Sequence, residues 1–397
     1  MAVNPSQHQT SQLKQRYIPN TPAPLLTLSK PLLSSYLSAS LSHILTSCPP
    51  VLPWPSLFRG QVYKGFFIGP TSIAYLFYTL SLSPLTCDLL IENKLPLAWS
   101  EAYLSLGQEE ITPLLEVGCG IANEYLASNA LKACVYQDPK YAERVLAALR
   151  GLETQKSYCE WLKGRAGALY MLRLMKSGLR LPSLREDIEV MAKELIEDML
   201  PEMPWVWDGR QYLGTVHGEI GILTQIILSD PSYAPRLEGK LRDLLKQQGD
   251  DGNWPVIPEK DIGLVQFCHG APGFLVSLLA IKDYFPGLER EIGGAIEKGR
   301  RCIWEKGVLV KEPNVCHGLL GNALALEGER REHFLGLGTP EEVRKGLEGG
   351  KWVKDEDPFG MLWGESGRAW VYAWAWEESE GLHEKGGIGK VPLYTDV

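Results

Sequence analysis

The chain has 397 residues, of which 45% are hydrophobic and 22% charged, with a net charge of −8. This is the balance of a soluble globular protein. Without a Lys/Arg-rich run it argues against a nucleic-acid partner, and its acidity disfavours strong attraction to anionic lipid. Eight cysteines over this length are too sparse for a disulfide framework, so the thiols are read as free in a reducing cytoplasm.

In chain order, residues 1–17 are polar and lack the apolar core of a signal peptide, and residues 1–30 read as a flexible arm. Residues 31–397 contain no obvious linker and read as a single domain. Two uncharged stretches, Gly65–Cys87 and Ile262–Ile281, are long enough to span a bilayer. The first holds Gly69-Pro70 and many hydroxyl residues, and the second holds Cys268 and His269, so both are assigned to buried helices. A location in the cytoplasm follows, with peripheral association at the plasma membrane left open.

A glycine-centred turn followed by an apolar helical run recurs seven times, starting at Gly69, Gly118, Gly164, His217, Cys268, Cys316 and Gly364. From the third unit on the core is Gly-x-x-Gly, and successive units lie about 44–54 residues apart, the length of a helix pair. The runs are apolar almost all round, as in Phe274, Leu275, Val276, Leu278, Leu279 and Ile281, and so need burial on both sides. Charged amphipathic stretches such as 184–200 and 237–248 alternate with them and suit an outer layer. The terminal units are as apolar as the middle ones, which favours closure over an open solenoid. The expected fold is all-α, a double-layered α/α toroid of seven helix-pair repeats. The stretch from 336 to 359 reads as a long surface connection.

Three units carry chemistry at the turn: Val216-His217-Gly218, Phe267-Cys268-His269-Gly270 and Val315-Cys316-His317-Gly318. In a closed ring all such turns share one mouth. Cys and His are natural zinc ligands, and three of them with an open position is the pattern of catalytic zinc. Cys268, His269, Cys316 and His317 are all candidates, and spacing does not choose between the histidines.

The segments FCHGAPGF (267–274), NVCHGLLGNALAL (314–326), KGRAGALYML (163–172) and VHGEIGI (216–222) resemble the lanthionine synthetase C-like family, the bacterial lanthipeptide cyclases and their eukaryotic relatives. The resemblance runs from about Gly65 to Trp376. It implies a toroid with one zinc in the central cavity, held by Cys268, Cys316 and His317, with His269 part of the turn and not a ligand. It implies an active-site histidine at His217 and, more loosely, an acid at Glu160, where bacterial cyclases have Asp. The sequence departs from the family at Phe267, where Trp is usual, and at the degenerate second turn, GCGIAN.

The implied reaction is addition of a zinc-activated thiol to dehydroalanine or dehydrobutyrine. The divergent N-terminus and the CHGAPG form look like the eukaryotic branch, which implies glutathione as the thiol and dehydroamino-acid peptides or proteins as partners. A glutathione- and zinc-binding signalling adaptor and a lanthipeptide-type cyclase are the alternatives. A prenyltransferase-like site would need a mixed Asp/Cys/His set, and a toroid glycosidase two facing carboxylates.

Overall fold

The computed structural model describes residues 16–20, 26, 28–51, 64–107, 118–152, 158–258, 260, 262–355, 358–383 and 390–397. Its helices are α1 Lys30–Ser47, α2 Pro70–Leu82, α3 Pro96–Leu104, α4 Glu124–Tyr136, α5 Pro139–Arg150, α6 Arg165–Gly178, α7 Arg185–Met199 and α8 Glu219–Ser229. They continue with α9 Ala234–Lys246, α10 Ala271–Ile281, α11 Glu289–Lys306, α12 Leu319–Leu324, α13 Gly328–Leu337, α14 Pro340–Glu348 and α15 Glu365–Ser379. Among the described residues β-structure is confined to isolated bridges.

The two layers follow from hydrophobic patterning. In α8 every residue from Glu219 to Ile227 is buried, and in α10 burial is almost as complete. Fully burying a side chain such as Leu275 contributes about 1.5–3 kcal/mol. In α9 only Ala234, Leu237, Leu241 and Leu244 are buried, one stripe on a wet helix. Helices α2, α4, α6, α8, α10, α12 and α15 form the inner ring. Most have their outer partner next in sequence; α15 packs instead against α1, so the first helix of the chain completes the last pair. The uncharged stretches at 65–87 and 262–281 end in inner helices of 13 and 11 residues. Among the described residues no helix is long and apolar enough to cross a membrane.

The turns close the ring through a belt of hydrogen bonds. Phe66 N–H donates to Ile121 O at 3.0 Å, Cys119 N–H to Lys163 O at 2.8 Å, and Trp161 N–H to Val216 O at 3.1 Å. The Thr215 hydroxyl donates to Phe267 O at 2.6 Å, Cys268 N–H to Cys316 O at 3.1 Å, and Cys316 N–H to Leu362 O at 2.9 Å. The circuit ends where Met361 N–H donates to Ser72 Oγ of the first unit at 2.9 Å. Each turn thus spends a buried backbone group on its neighbour, as burial requires.

The second glycine of each intact motif has one geometric role. A Cβ on Gly167, Gly221, Gly273, Gly321 or Gly367 would lie 1.9–2.1 Å from the carbonyl oxygen six residues earlier. The second unit is built differently: Asn123 caps α4 with its side chain, accepting from Leu126 N–H at 2.8 Å.

Three features differ from expectation. Within the predicted flexible arm, Tyr17 bridges to Leu309, Asn20 Nδ2 donates to Trp304 O, and Leu26 N–H donates to His333. These polar groups attach that part of the arm to the ring, while residues 1–15 lie outside the described residues. The stretch expected as a surface connection holds helix α14, whose start Thr339 caps, and buries Trp352. Finally, segment 390–397 enters the ring. Val391, Leu393 and Tyr394 are buried, and Tyr394 packs edge-on against Trp161 and Phe267. Trp161 Nε1 donates to Leu393 O, and Arg173 and Gln225 donate to Tyr394 O, each at 3.1 Å.

Candidate metal centre and active site

The fifth and sixth turns bring two thiols and one imidazole together. The ligand atoms of Cys268, Cys316 and His317 all lie within 4.8 Å of one another, and all three residues are buried. Backbone geometry makes this possible. Gly270, at φ 104°, starts α10 in a conformation that side chains avoid. Gly214 lets the fourth turn lie on the fifth, since a Cβ there would be 2.4 Å from Cys268 O. Asn314 Oδ1 accepts from His317 N–H at 2.8 Å and fixes the sixth turn.

The donor set fits zinc. Two thiolates and an imidazole are its commonest ligands, and zinc–sulfur distances of about 2.3 Å demand sulfurs within roughly 4 Å of each other. The hydrogen bond between the two sulfurs lowers the Cys268 thiol and pushes the Cys316 thiol well up, against a background of burial that raises both. The Gln266 amide donates to Cys268 Sγ at 3.0 Å, and the nearby Lys311 charge favours both thiolates. His317 Nε2 lies 3.0 and 3.1 Å from the two Asp355 oxygens, and Trp363 packs against its ring at 5.2 Å.

Beside this cluster, the third and fourth turns form a carboxylate–histidine pair. His217 Nδ1 is 3.1 Å from Glu160 Oε2. Glu160 is 1% exposed and accepts the N–H groups of Leu162 and Lys163, so its carboxylate is held in place by the turn itself. The His217 ring stacks on Trp207 at 3.9 Å. His269 follows Cys268 in the chain, its ring 6.3 Å from His217 and 5.9 Å from Tyr212. Burial, with the His217 charge beside it, lowers its pKa to about 4. It lies outside the three-ligand cluster.

The five residues singled out from sequence therefore fall into two adjoining groups, and the structure adds Asp355, Trp207, Trp363 and Gln266. The Asp208-Gly209 pair, both at positive φ, marks the tight turn behind Trp207. Nothing in that signature says that the Trp stacks on a histidine more distant in the chain. Asp355 has no motif at all and lies 38 residues beyond His317.

A two-layered α-helical ring with a buried Cys/Cys/His cluster at one mouth is the class this fold and site define. The family model for lanthionine synthetase C-like proteins matches residues 106–332, and the chain belongs to that family. It is similar to zebrafish (Danio rerio) glutathione S-transferase LANCL1, with 27% identity over 183 residues, 41% of this chain and 44% of the relative. It is also similar to LanC-like protein GCL1 of Arabidopsis thaliana, with 30% identity over 122 residues, 30% of this chain and 28% of the relative. These matches span less than half the length of either relative. In structure it resembles nisin cyclase at a TM-score of 0.54 and 13% identity, covering 89% of this chain and 95% of that one, which establishes the shared toroid.

Proposed function

We propose that the protein is a zinc-dependent enzyme that adds a thiol, glutathione, to dehydroalanine or dehydrobutyrine residues of peptides or proteins. The observation that carries this reading is the juxtaposition of the Cys268/Cys316/His317 cluster with the Glu160–His217 pair on adjoining turns. Cys268, Cys316 and His317 would hold the metal and leave a coordination position open. Zinc there would keep an entering thiol as thiolate near neutral pH. The name of the zebrafish relative, a glutathione S-transferase, supports glutathione as that thiol.

The chain's own groups suit the rest of the chemistry. The inner helices start at the mouth, and their N-terminal partial charges favour an anionic thiol there. Addition forms a bond from sulfur to the β-carbon and moves the π electrons to the α-carbon as an enolate. With Nδ1 bonded to Glu160, His217 has Nε2 left to deliver the proton that the enolate takes up. Glu160 orients the ring through its bond to Nδ1, and Trp207, stacked on it, keeps it from rotating away.

Incubating the zinc-loaded protein with glutathione and a dehydroalanine peptide should give the glutathione adduct by mass spectrometry. Glutathione binding with no adduct would turn the reading toward an adaptor. Ring closure in a cysteine-containing peptide, with glutathione ignored, would turn it toward a cyclase.

A further inference from the structure

We infer that Asp355 is the positioning residue of the metal centre: it holds His317 in the tautomer that presents Nδ1 as the ligand atom. The inference rests on the reading of Cys268, Cys316 and His317 as a zinc site. Both Asp355 oxygens lie within hydrogen-bond reach of His317 Nε2. An ionised carboxylate only accepts, so Nε2 must carry the hydrogen, and the lone pair is then on Nδ1. Histidines that ligate metals are commonly oriented in this way by a carboxylate on the other ring nitrogen.

Asp355 is itself fixed. Asn314 Nδ2 donates to its Oδ2, and the same Asn accepts the His317 backbone N–H, so one amide ties acid and imidazole to a single turn. Asp355 N–H donates to Glu312 Oε2 at 3.1 Å. Arg368 Nη1 donates to Glu312 Oε1 at 2.8 Å, and Arg368 also pairs with Glu365, which accepts from Ser40 on α1. The chain Ser40–Glu365–Arg368–Glu312–Asp355–His317, buried except at the half-buried Asp355, therefore runs from the outer layer to the candidate metal ligand. It gives the stretch between α14 and α15 a role beyond connection.

The substitution Asp355→Asn exposes the mechanism. Asn314 is a donor toward position 355, so the new amide would accept from Asn314 through its oxygen and turn its NH2 toward His317 Nε2. That favours the tautomer with hydrogen on Nδ1, where it blocks the metal. A purely structural role would make the isosteric Asn milder than Ala. A tautomer-setting role makes Asn at least as damaging.

The test is zinc competition against a chromophoric chelator on the full chain, with wild type, Asp355→Asn, Asp355→Ala and Cys316→Ala. The expected result is zinc affinity about 10–100-fold weaker in Asp355→Asn, no stronger than in Asp355→Ala, with unchanged helicity in the metal-free proteins. Asp355→Asn binding within twofold of wild type, or clearly tighter than Asp355→Ala, overturns the inference. The metal reading itself fails separately, and takes the inference with it, if wild type and Cys316→Ala hold zinc equally or neither holds it.

Discussion

At the residue scale, the cluster and the histidine pair make separable predictions. Elemental analysis of wild type should find roughly one zinc per chain; Cys268→Ala, Cys316→Ala and His317→Ala should each lose most of it, whereas His269→Ala should keep it. His217→Ala should retain zinc and thiol binding yet form adduct about 10²–10⁴-fold more slowly, since it removes only the proposed proton donor. A wild-type rate in that variant would make His217 structural. Glu365 offers a pH test away from the chemistry. Burial acts to raise its pKa, but the Arg368 charge and hydrogen bonds from His43, Arg368 and Ser40 outweigh it and hold the group at about 2, below its ordinary 4.5. A carboxyl with a depressed folded pKa contributes stability that is present above the unfolded value and is lost as pH falls through the folded one. Denaturant titrations should therefore show wild type losing on the order of 3 kcal/mol between pH 5 and pH 2 through this group. Glu365→Gln should be less stable at pH 7 and flatter across that window.

At the element scale, the repeated glycine contact sets how close a helix can start to its neighbouring turn. Gly273→Ala places a Cβ against Phe267 O at 2.0 Å and against Thr215 Cγ2 at 2.6 Å. Backbone cannot yield there as a side-chain tip can. The expected cost is about 1–3 kcal/mol, with a larger loss of zinc affinity than of helicity, because the displaced segment carries Cys268. Thermal melts and chelator competition on the same variant check both. Gly239→Ala is the contrast. It lies in the outer helix α9, a Cβ there meets nothing within 4 Å, and it should raise stability by about 0.4–1 kcal/mol.

At the scale of the whole molecule, two things hold the centre: the belt of turn-to-turn hydrogen bonds and segment 390–397. Asp396, half-buried, sits between the hydroxyls of Tyr75 and Tyr170, and Tyr394 Oη meets Ser277 Oγ at 2.6 Å. The segment thus ties α2, α6, α8 and α10 together from inside. Deleting residues 391–397 should lower unfolding free energy by at least about 3 kcal/mol, through lost apolar burial and the loss of the acceptors that Leu393, Tyr394 and Asp396 offer to Trp161, Arg173, Gln225 and two tyrosine hydroxyls. Removing zinc with a chelator should do the opposite: abolish thiol binding and leave far-UV circular dichroism nearly unchanged. The hydrophobic inner helices hold the ring without a metal, unlike a closed structural zinc site.

The periodic glycine turns and the all-round apolar runs were enough, read alone, to define a ring of inner and outer helices, because such runs have no stable place except between two layers. The same reading put chemistry on three turns, since Cys-His-Gly at one phase of a repeat must arrive at one mouth. Glu160 was legible only through its place four residues before Gly164. Its burial, and its contact with a histidine 57 residues away, depend on how the third and fourth turns meet. Asp355, the pairing of α1 with α15, and the entry of segment 390–397 into the ring were beyond the sequence altogether. Each is a contact between segments whose local pattern is ordinary: an acid in a charged stretch, an amphipathic first helix, a short polar-apolar tail. Local periodicity decides which face of an element is buried. What is buried against that face is decided by closure of the ring, which brings distant segments together after the elements have formed.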